Sequence, residues 1–288
     1  MTRNVTVCLN GTKESLAAAE WAAREALLRD VPLHVIYAQA GPPALDRPAL
    51  TPQMRREWAD TLLQDAAADL RQRHPQLEIT TGQLGGSAPA AALLAETDAD
   101  VLVLGSRGLG TVSGFLLGSV GLATVSAAEH PVVLVRAAQQ ALSENTVGTT
   151  DGAPPEVVVG VDLRQDAAEV ITFAFDAAAR RGITLRVVNC WTLPVVYTQF
   201  AGAGANAEVA QRLTDMLVPW RHKYPSVDVV EQSLFGGPAQ QLVQASADAE
   251  LMVIGRQIQH GTMSAHVGPV THAVLHHATA PVAVIPHR

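Results

Sequence analysis

The stretch Val101-Leu-Val-Leu-Gly-Ser-Arg-Gly108, followed after nine further residues by Gly118-Ser119, decides the fold of this chain. Its four apolar residues predict a buried strand, and the glycines after them predict a turn. Glycine permits left-handed turns and lets the backbone approach a ligand closely. A helix that starts at Ser119 offers unpaired N–H groups, the positive end of its dipole and a hydroxyl. The stretch therefore predicts a phosphate cradle, and hence a nucleotide site.

The same order of patterns occurs twice, because two segments about 150 residues apart repeat each other. Val5-Thr-Val-Cys-Leu-Asn10 corresponds to Val157-Val-Val-Gly-Val-Asp162, and the glycine loop after Leu104 has a counterpart later in the chain. Residues 139–155 between the copies are rich in Ser, Thr, Gly and Pro, which is typical of a linker. We therefore expect two domains, 1–138 and 156–288.

Each copy alternates strands with helices. In the first copy the expected strands are Val5–Leu9, Leu33–Tyr37, Leu77–Thr81, Val101–Leu104 and Val132–Val135. The expected helices are Glu14–Asp30, Gln53–Arg73, Pro89–Glu96 and Ser119–Ala128. This pattern predicts an α/β fold of two tandem flavodoxin-like or Rossmann-like domains, each a five-stranded, mostly parallel sheet flanked by helices. In a flavodoxin-like order, the ends of strand 1 at Asn10 and of strand 4 at Gly105 are expected to be neighbours, where such sheets bind ligands.

Composition narrows the functional class. The 288 residues are 48% apolar and 4% aromatic, and the net charge is −7 without any basic run, so nucleic acid is not an expected partner. The two lysines, Lys13 and Lys223, lie outside any GxxxxGK[ST] context, which excludes a Walker-type phosphate loop. Cys8 and Cys190 are expected to be buried thiols rather than a disulfide. The N-terminus runs straight into a strand and leaves no room for a signal peptide, so we expect a cytoplasmic protein.

The uncharged stretch Gly108–Ala128 also allows a membrane interpretation. This stretch carries no charge and contains the GxxxG spacing Gly114–Gly118. Its glycines, serines and threonines make it only weakly apolar, and it lacks an asymmetry of Lys and Arg between its two flanks. We therefore expect no membrane span.

With these motifs the chain resembles a tandem universal stress protein over nearly its whole length. Gly105-x2-Gly108-x9-Gly118-Ser119 matches the ATP-binding subclass of that family, and His130-Pro-Val-Val-Leu-Val135 fits its closing strand. The resemblance implies an ATP site formed in the first domain by Asn10, Ile36, Gly105, Gly108, Gly118, Ser119 and Val120. Gly105 and Gly108 would line the ribose and phosphates, Ile36 the adenine, and the last three the phosphate tail. Asn10 replaces the family's aspartate, so we expect a weaker pull on Mg²⁺.

The second domain departs from that pattern at its loop. It keeps Asp162 and Val188, but Ile258 replaces the second glycine and Gly268-Pro269 replaces Gly-Ser. Proline has no N–H to donate, and a β-branched residue resists positive φ. We therefore expect weaker nucleotide binding there, with Asp162, Val188, Gly255 and Gly268 as the candidate residues.

The most favoured function is an ATP-binding stress-response regulator or sensor, with no catalytic residue assigned. Two other classes stay open: a slow ATPase or phosphotransferase, and a nucleotide-free scaffold in which the glycine loop is only a tight turn. Asn10 is also a common turn former. His272 and His276 have zinc-ligand spacing, but without nearby cysteine or clustered carboxylates we expect a solvated helix face or domain contact.

The resemblance also implies an assembly. In the family, terminal strands pair between domains, which here are Val132–Val135 and Val282–Ile285. The tandem chain would then be an internal pseudo-dimer, and two chains are candidates for further association into a homodimer.

Overall fold

The computed structural model describes residues 3–38, 51–85, 89–95, 99–108, 115–116, 118–136, 154–192, 203–258 and 267–288. The chain divides into two compact units, Met1–Glu144 and Asn145–Arg288. The division falls inside the expected linker, 139–155, most of which lies outside the described residues. The exact domain bounds stay a prediction.

The first unit is a sheet with helices packed on it. Its strands are β1 Asn4–Leu9, β2 Leu33–Ala38, β3 Ile79–Leu84, β4 Ala99–Gly108, β5 Phe115–Leu116 and β6 Val132–Arg136. Its helices are α1 Lys13–Arg29, α2 Pro52–Arg73, α3 Pro89–Leu94 and α4 Ser119–Ala127. Five strands run parallel in the order β3-β2-β1-β4-β6, and the two-residue β5 pairs antiparallel with the end of β4.

The second unit repeats this arrangement. Its strands are β7 Glu156–Val161, β8 Thr184–Trp191, β9 Val229–Phe235, β10 Ala249–Gln257 and β11 Val282–His287. Its helices are α5 Ala168–Arg181, α6 Ala203–Lys223, α7 Pro238–Ala245 and α8 Pro269–His277. All five strands are parallel, in the order β9-β8-β7-β10-β11. The expected α/β fold with mostly parallel sheets flanked by helices is confirmed.

The strand order brings the expected strand ends together. Strand β1 pairs with both β2 and β4, so Cys8 is level with Ile36 on one side and Leu104 on the other. The adjacency of strands 1 and 4 is therefore as expected, but the order is the Rossmann one. In a flavodoxin order strand 1 would lie beside strand 3. The carboxyl ends of β1 and β4 lie at one edge of the sheet, at the point where the order of the strands along the sheet reverses.

The helices pack on the sheets in pairs. In the first unit, α1 packs against β1, β4 and β6 and touches α2, while α3 packs against α4. Alanines dominate the buried face of α1, including Ala18, Ala22 and Ala26, so its backbone lies close to the sheet. This close packing leaves no room for a side chain at Gly105 of β4.

Helix ends follow the expected chemistry. The Thr12 side chain caps α1 by accepting a hydrogen bond from the Ser15 amide at 3.3 Å. Asp30 ends the same helix in the left-handed region, with φ 55°. At the equivalent end of α5, Gly182 takes this conformation with φ 64°.

Strand 3 begins later than expected. The apolar Leu77 suggested a strand over Leu77–Thr81, but β3 starts at Ile79. The Leu77 amide donates to the His74 carbonyl at 3.0 Å, which closes a turn and buries the leucine before the strand begins. A buried apolar residue in a turn cannot be told from a strand residue by pattern alone.

No helix in the described ranges is long and apolar enough to cross a membrane. The central part of Gly108–Ala128, residues 109–114 and Leu117, lies outside those ranges.

Candidate functional site

A cleft of about 530 Å³ opens at the carboxyl ends of the second unit's strands. Pockets that hold small-molecule ligands span roughly 300–1,000 Å³, so this cleft has the size of a nucleotide site. It brings together all four residues expected from sequence in this domain, namely Asp162, Val188, Gly255 and Gly268. The end of β7, the end of β10 and the first turn of α8 form its walls.

Gly255 packs closely against two side chains of the protein. A Cβ at this position would lie 2.8 Å from Nε2 of His287 and 3.1 Å from a methyl carbon of Val170. Gly255 does not have positive φ, and neither does Ile258. A left-handed backbone, the expected reason for glycine in this loop, is therefore absent at Gly255 and Ile258, and the packing of His287 and Val170 favours a residue without a Cβ at Gly255.

Asp162 is engaged by an arginine two residues later. Nε and Nη2 of Arg164 donate to its two carboxylate oxygens at 3.0 and 2.9 Å, and the Arg164 amide also donates to Oδ1 at 3.0 Å. These bonds hold the pKa of Asp162 below its ordinary value. The carboxylate keeps its charge, but Arg164 occupies the oxygens that a metal or a ribose would use.

The start of α8 forms one wall of this cleft. Gly268 is the N-cap, with no side-chain hydrogen bond capping the helix, and Pro269 is its first residue. Proline supplies no N–H, and the Thr271 hydroxyl donates inward to the Gly255 carbonyl at 3.0 Å. The amides of Val270 and Thr271 are the donors left at the cleft wall, with the buried Arg256 side chain also lining it.

In the first unit the equivalent edge is described in part. Ile36 is buried on β2 in the position that Val188 holds in the second unit. Gly108 is the last residue of β4 and pairs with Phe115 of β5. The six residues after Gly108 lie outside the described part of the chain. The complete course of this loop is therefore not described.

Asn10 has a local role. It is exposed, and its Oδ1 accepts hydrogen bonds from the Thr12 amide at 3.1 Å and the Thr12 hydroxyl at 2.7 Å. The backbone N–H of Asn10 donates to the Ser15 hydroxyl at 3.3 Å. The side chain thus organises the turn into α1, which is the turn-forming role left open by the sequence.

Gly118 and Ser119 form the start of α4, where no side chain among the described residues caps the backbone N–H groups. Gly118 is the N-cap with φ −61°, and no side-chain hydrogen bond caps the helix. A Cβ at Gly118 would meet no described atom within 4 Å, so neither backbone conformation nor those neighbours require glycine there. Ser119 is exposed, and Val120 follows it in the first turn. An uncapped helix start with an exposed hydroxyl is suited to an anion.

Some cleft residues carried little or no signal in the sequence. His287 lies near the end of the chain yet lines the cleft, because β11 pairs with β10 and places it level with Gln257. Arg164 was not singled out, although a charged residue two positions after Asp162 was a usable local signal. The position of His287 at the cleft follows only from the pairing of β11 with β10.

The two thiols have different surroundings. Cys190 lines the second unit's cleft, whereas Cys8 sits in β1 between β2 and β4. Burial raises the pKa of each thiol to about 11. Both cysteines are free, as expected, and neither is an activated nucleophile.

Comparison with known proteins gives one family for both halves. The profile described as "Universal stress protein family" matches residues 1–136 and 155–286. Universal stress protein Rv2005c of Mycobacterium tuberculosis is 30% identical over 295 residues, which covers 97% of this chain and 96% of that protein.

Among solved structures, a universal stress protein from Archaeoglobus fulgidus DSM 4304 aligns with a TM-score of 0.70 at 14% identity, covering 99% of both chains. A universal stress protein from Archaeoglobus fulgidus in complex with dAMP aligns with 46% of this chain and 97% of its own, at 22% identity and a TM-score of 0.34.

Proposed function

This chain belongs to the universal stress protein family, and we propose that it is an ATP-binding regulator whose principal nucleotide site lies in the first unit. The triphosphate tail binds at the start of α4, with the adenine over β2 near Ile36. The bound nucleotide biases which conformation or partner the protein favours, because a ligand shifts only states that it binds differently.

The observation that carries this proposal is the contrast between the starts of α4 and α8. Both helices begin at a glycine N-cap with no side-chain capping bond and with no acidic residue in the first turn. α4 then has Ser119, which adds an amide and an exposed hydroxyl, where α8 has Pro269. The first unit therefore has two more phosphate donors than the second at the same place in the fold.

The second cleft is the weaker site in this proposal. Its Asp162 is paired with Arg164, which disfavours a Mg²⁺ ion beside it. In the first unit Asn10 supplies no charge, so Mg²⁺ arrives mainly with the nucleotide in both units. We place the protein in the cytoplasm and assign it no nucleic-acid or membrane partner. Pairing of the terminal strands and association of two chains stay predictions.

Calorimetric titration with Mg-ATP tests the proposal. Ser119→Ala should weaken binding by about tenfold or more, since a hydrogen bond to a charged group is worth roughly 1.5–3 kcal/mol. Ser126→Ala is the matched control, because Ser126 lies on the same helix and its hydroxyl donates to the Ala123 carbonyl at 2.9 Å. Equal affinity in the wild type and Ser119→Ala, or no ATP binding by the wild type, would contradict the proposed site.

Steady phosphate release distinguishes an enzyme from a regulator. Bound ATP recovered intact after several hours at 25 °C supports a sensor that holds its ligand. Continuous turnover lost in Ser119→Ala would instead support the ATPase alternative.

A further inference from the structure

Two histidines stand side by side on the outer face of α8. The ring centroids of His272 and His276 are 4.3 Å apart, and the two residues are four positions apart on the helix. Thr271, Val274 and Leu275 form the buried face of this helix. His272 is exposed and His276 is half-buried, so the rings lie on the side away from the core.

This spacing is a chelating geometry. Side chains at i and i+4 lie one above the other on a helix, and two histidines so placed form half of many zinc sites. A transition metal lies about 2.0–2.1 Å from each imidazole nitrogen, which rings at this separation reach by rotation about their side-chain bonds. His276 also lies in the last turn of α8, where the helix dipole favours a cation.

We propose that His272 and His276 form a bidentate site for a divalent transition cation such as Zn²⁺, Ni²⁺ or Cu²⁺. No group of three or more His, Cys, Asp or Glu capable of holding a metal occurs in the described part of the chain, so these two histidines are the ligands assigned here. Imidazole nitrogens without carboxylates select these cations over Mg²⁺ and Ca²⁺. With two protein ligands the binding is reversible, unlike a closed four-ligand zinc site.

A two-histidine chelate differs from a closed four-ligand zinc centre. Missing cysteines and carboxylates count against a four-ligand zinc centre, and they do not bear on a two-histidine chelate. The pair is also separate from the nucleotide clefts, since α8 lines the second cleft through residues 268–271. The metal site and the proposed ATP site can therefore fail independently.

His277 is a natural control within the same helix. Its ring centroid is 6.4 Å from that of His276, and consecutive residues point about 100° apart around a helix. His277 therefore shares the local charge and exposure without the chelating geometry. None of the three histidines is buried and alanine has the higher helix propensity, so the variants are expected to fold.

Calorimetric titration of the full-length chain, without an affinity tag, with NiCl₂ tests the proposal. The wild type and His277→Ala should show one equivalent of saturable binding, and His272→Ala and His276→Ala should each lose it. Electron paramagnetic resonance with one equivalent of Cu²⁺ supplies a second readout, because two coordinated imidazoles in the wild type become one in either variant. No saturable wild-type binding, or loss in only one of the two variants, or loss in His277→Ala, overturns the proposal.

Discussion

Gly105 lies so close to Glu14 that a Cβ on the glycine would be 2.5 Å from the Glu14 carbonyl carbon. That contact is with helix backbone, which cannot move aside as a flexible side chain could. The first glycine of the motif is thus explained by the packing of α1 on β4. A Cβ on Gly118, in contrast, would have no described atom within 4 Å.

This difference predicts opposite effects of the same substitution. Gly105→Ala should destabilise the protein by about 1–3 kcal/mol, because the extra carbon pushes α1 away from the sheet. Gly118→Ala should change the free energy of unfolding by no more than about 0.5 kcal/mol. Urea denaturation measures both, and equal midpoints for Gly105→Ala and the wild type would refute the packing explanation.

Pro269→Ser is expected to strengthen nucleotide binding in the second cleft. Serine restores the amide and the hydroxyl that proline lacks at the start of α8, at the position that Ser119 holds on α4. Affinity for ATP at this site should rise about tenfold, measured by calorimetry in a Ser119→Ala background. Pro52→Ser, at the first position of α2, is the control for proline removal. Unchanged affinity in Pro269→Ser would mean that other groups limit binding there.

The two thiols should react slowly at neutral pH. Burial raises the pKa of Cys8 and Cys190 from 9.0 to about 11, so both stay protonated at pH 8 and the thiolate forms only as the pH approaches 11. The rate of alkylation by iodoacetamide should rise about tenfold per pH unit between pH 8 and 10, because the thiolate is the nucleophile. A rate that levels off near pH 9 would show that the folded thiols titrate normally.

ATP should protect Cys190 when the second cleft binds it well. Cys190 lines that cleft, so saturating nucleotide should slow its alkylation in the Pro269→Ser variant. Cys190 of the wild type is the reference, because Cys8 lies level with Ile36 at the proposed first site and would itself be protected there. Equal protection of Cys190 in the wild type and in Pro269→Ser would contradict stronger binding beside Cys190 in the variant.

Glu20 is expected to be important for stability. This buried carboxylate accepts hydrogen bonds from Arg73, from Nε of Arg24 at 3.1 Å, and makes a 3.1 Å contact with Nε2 of His74. Glu20→Gln should cost about 1–3 kcal/mol, because the amide puts N–H groups against these donors. The two arginines are 46% and 41% exposed, which keeps the cost below that of a fully buried pair.

Asp69→Asn provides the comparison for Glu20. Asp69 pairs with the same arginine, Arg73, but its side chain is 61% exposed. Exposed pairs typically contribute less than about 1 kcal/mol, so its unfolding midpoint should stay close to that of the wild type. If Asp69→Asn were the more destabilising variant, burial would not be what makes Glu20 important.

Much of the fold was predictable because the patterns that produce it are local. Runs such as Val101–Leu104 identify buried strands, and the Ser119–Ala128 expectation closely matches α4. The boundary errors arose where an apolar residue serves a turn, as Leu77 does. Strand order is a long-range property, so the Rossmann arrangement and the position of His287 could not be predicted from local patterns.

The sequence predicted which residues of the second unit lie together, but not why each residue type is there. Asp162, Val188, Gly255 and Gly268 do meet at one cleft. The expected reasons for the glycines were partly wrong. A glycine motif indicates that some group approaches the backbone closely, but it does not indicate whether that group belongs to a ligand or to the protein. At Gly105 and Gly255 the neighbour is the protein itself, and that distinction appears only when α1, Val170 and His287 are placed in space.

The most direct test of the central claim is a crystal structure of the full chain grown with Mg-ATP. The account predicts phosphate oxygens within about 3.2 Å of the amide nitrogens of Ser119 and Val120 and of the Ser119 hydroxyl, with adenine near Ile36. A triphosphate bound only in the second cleft, or an α4 start without nucleotide at saturating ATP, would contradict it.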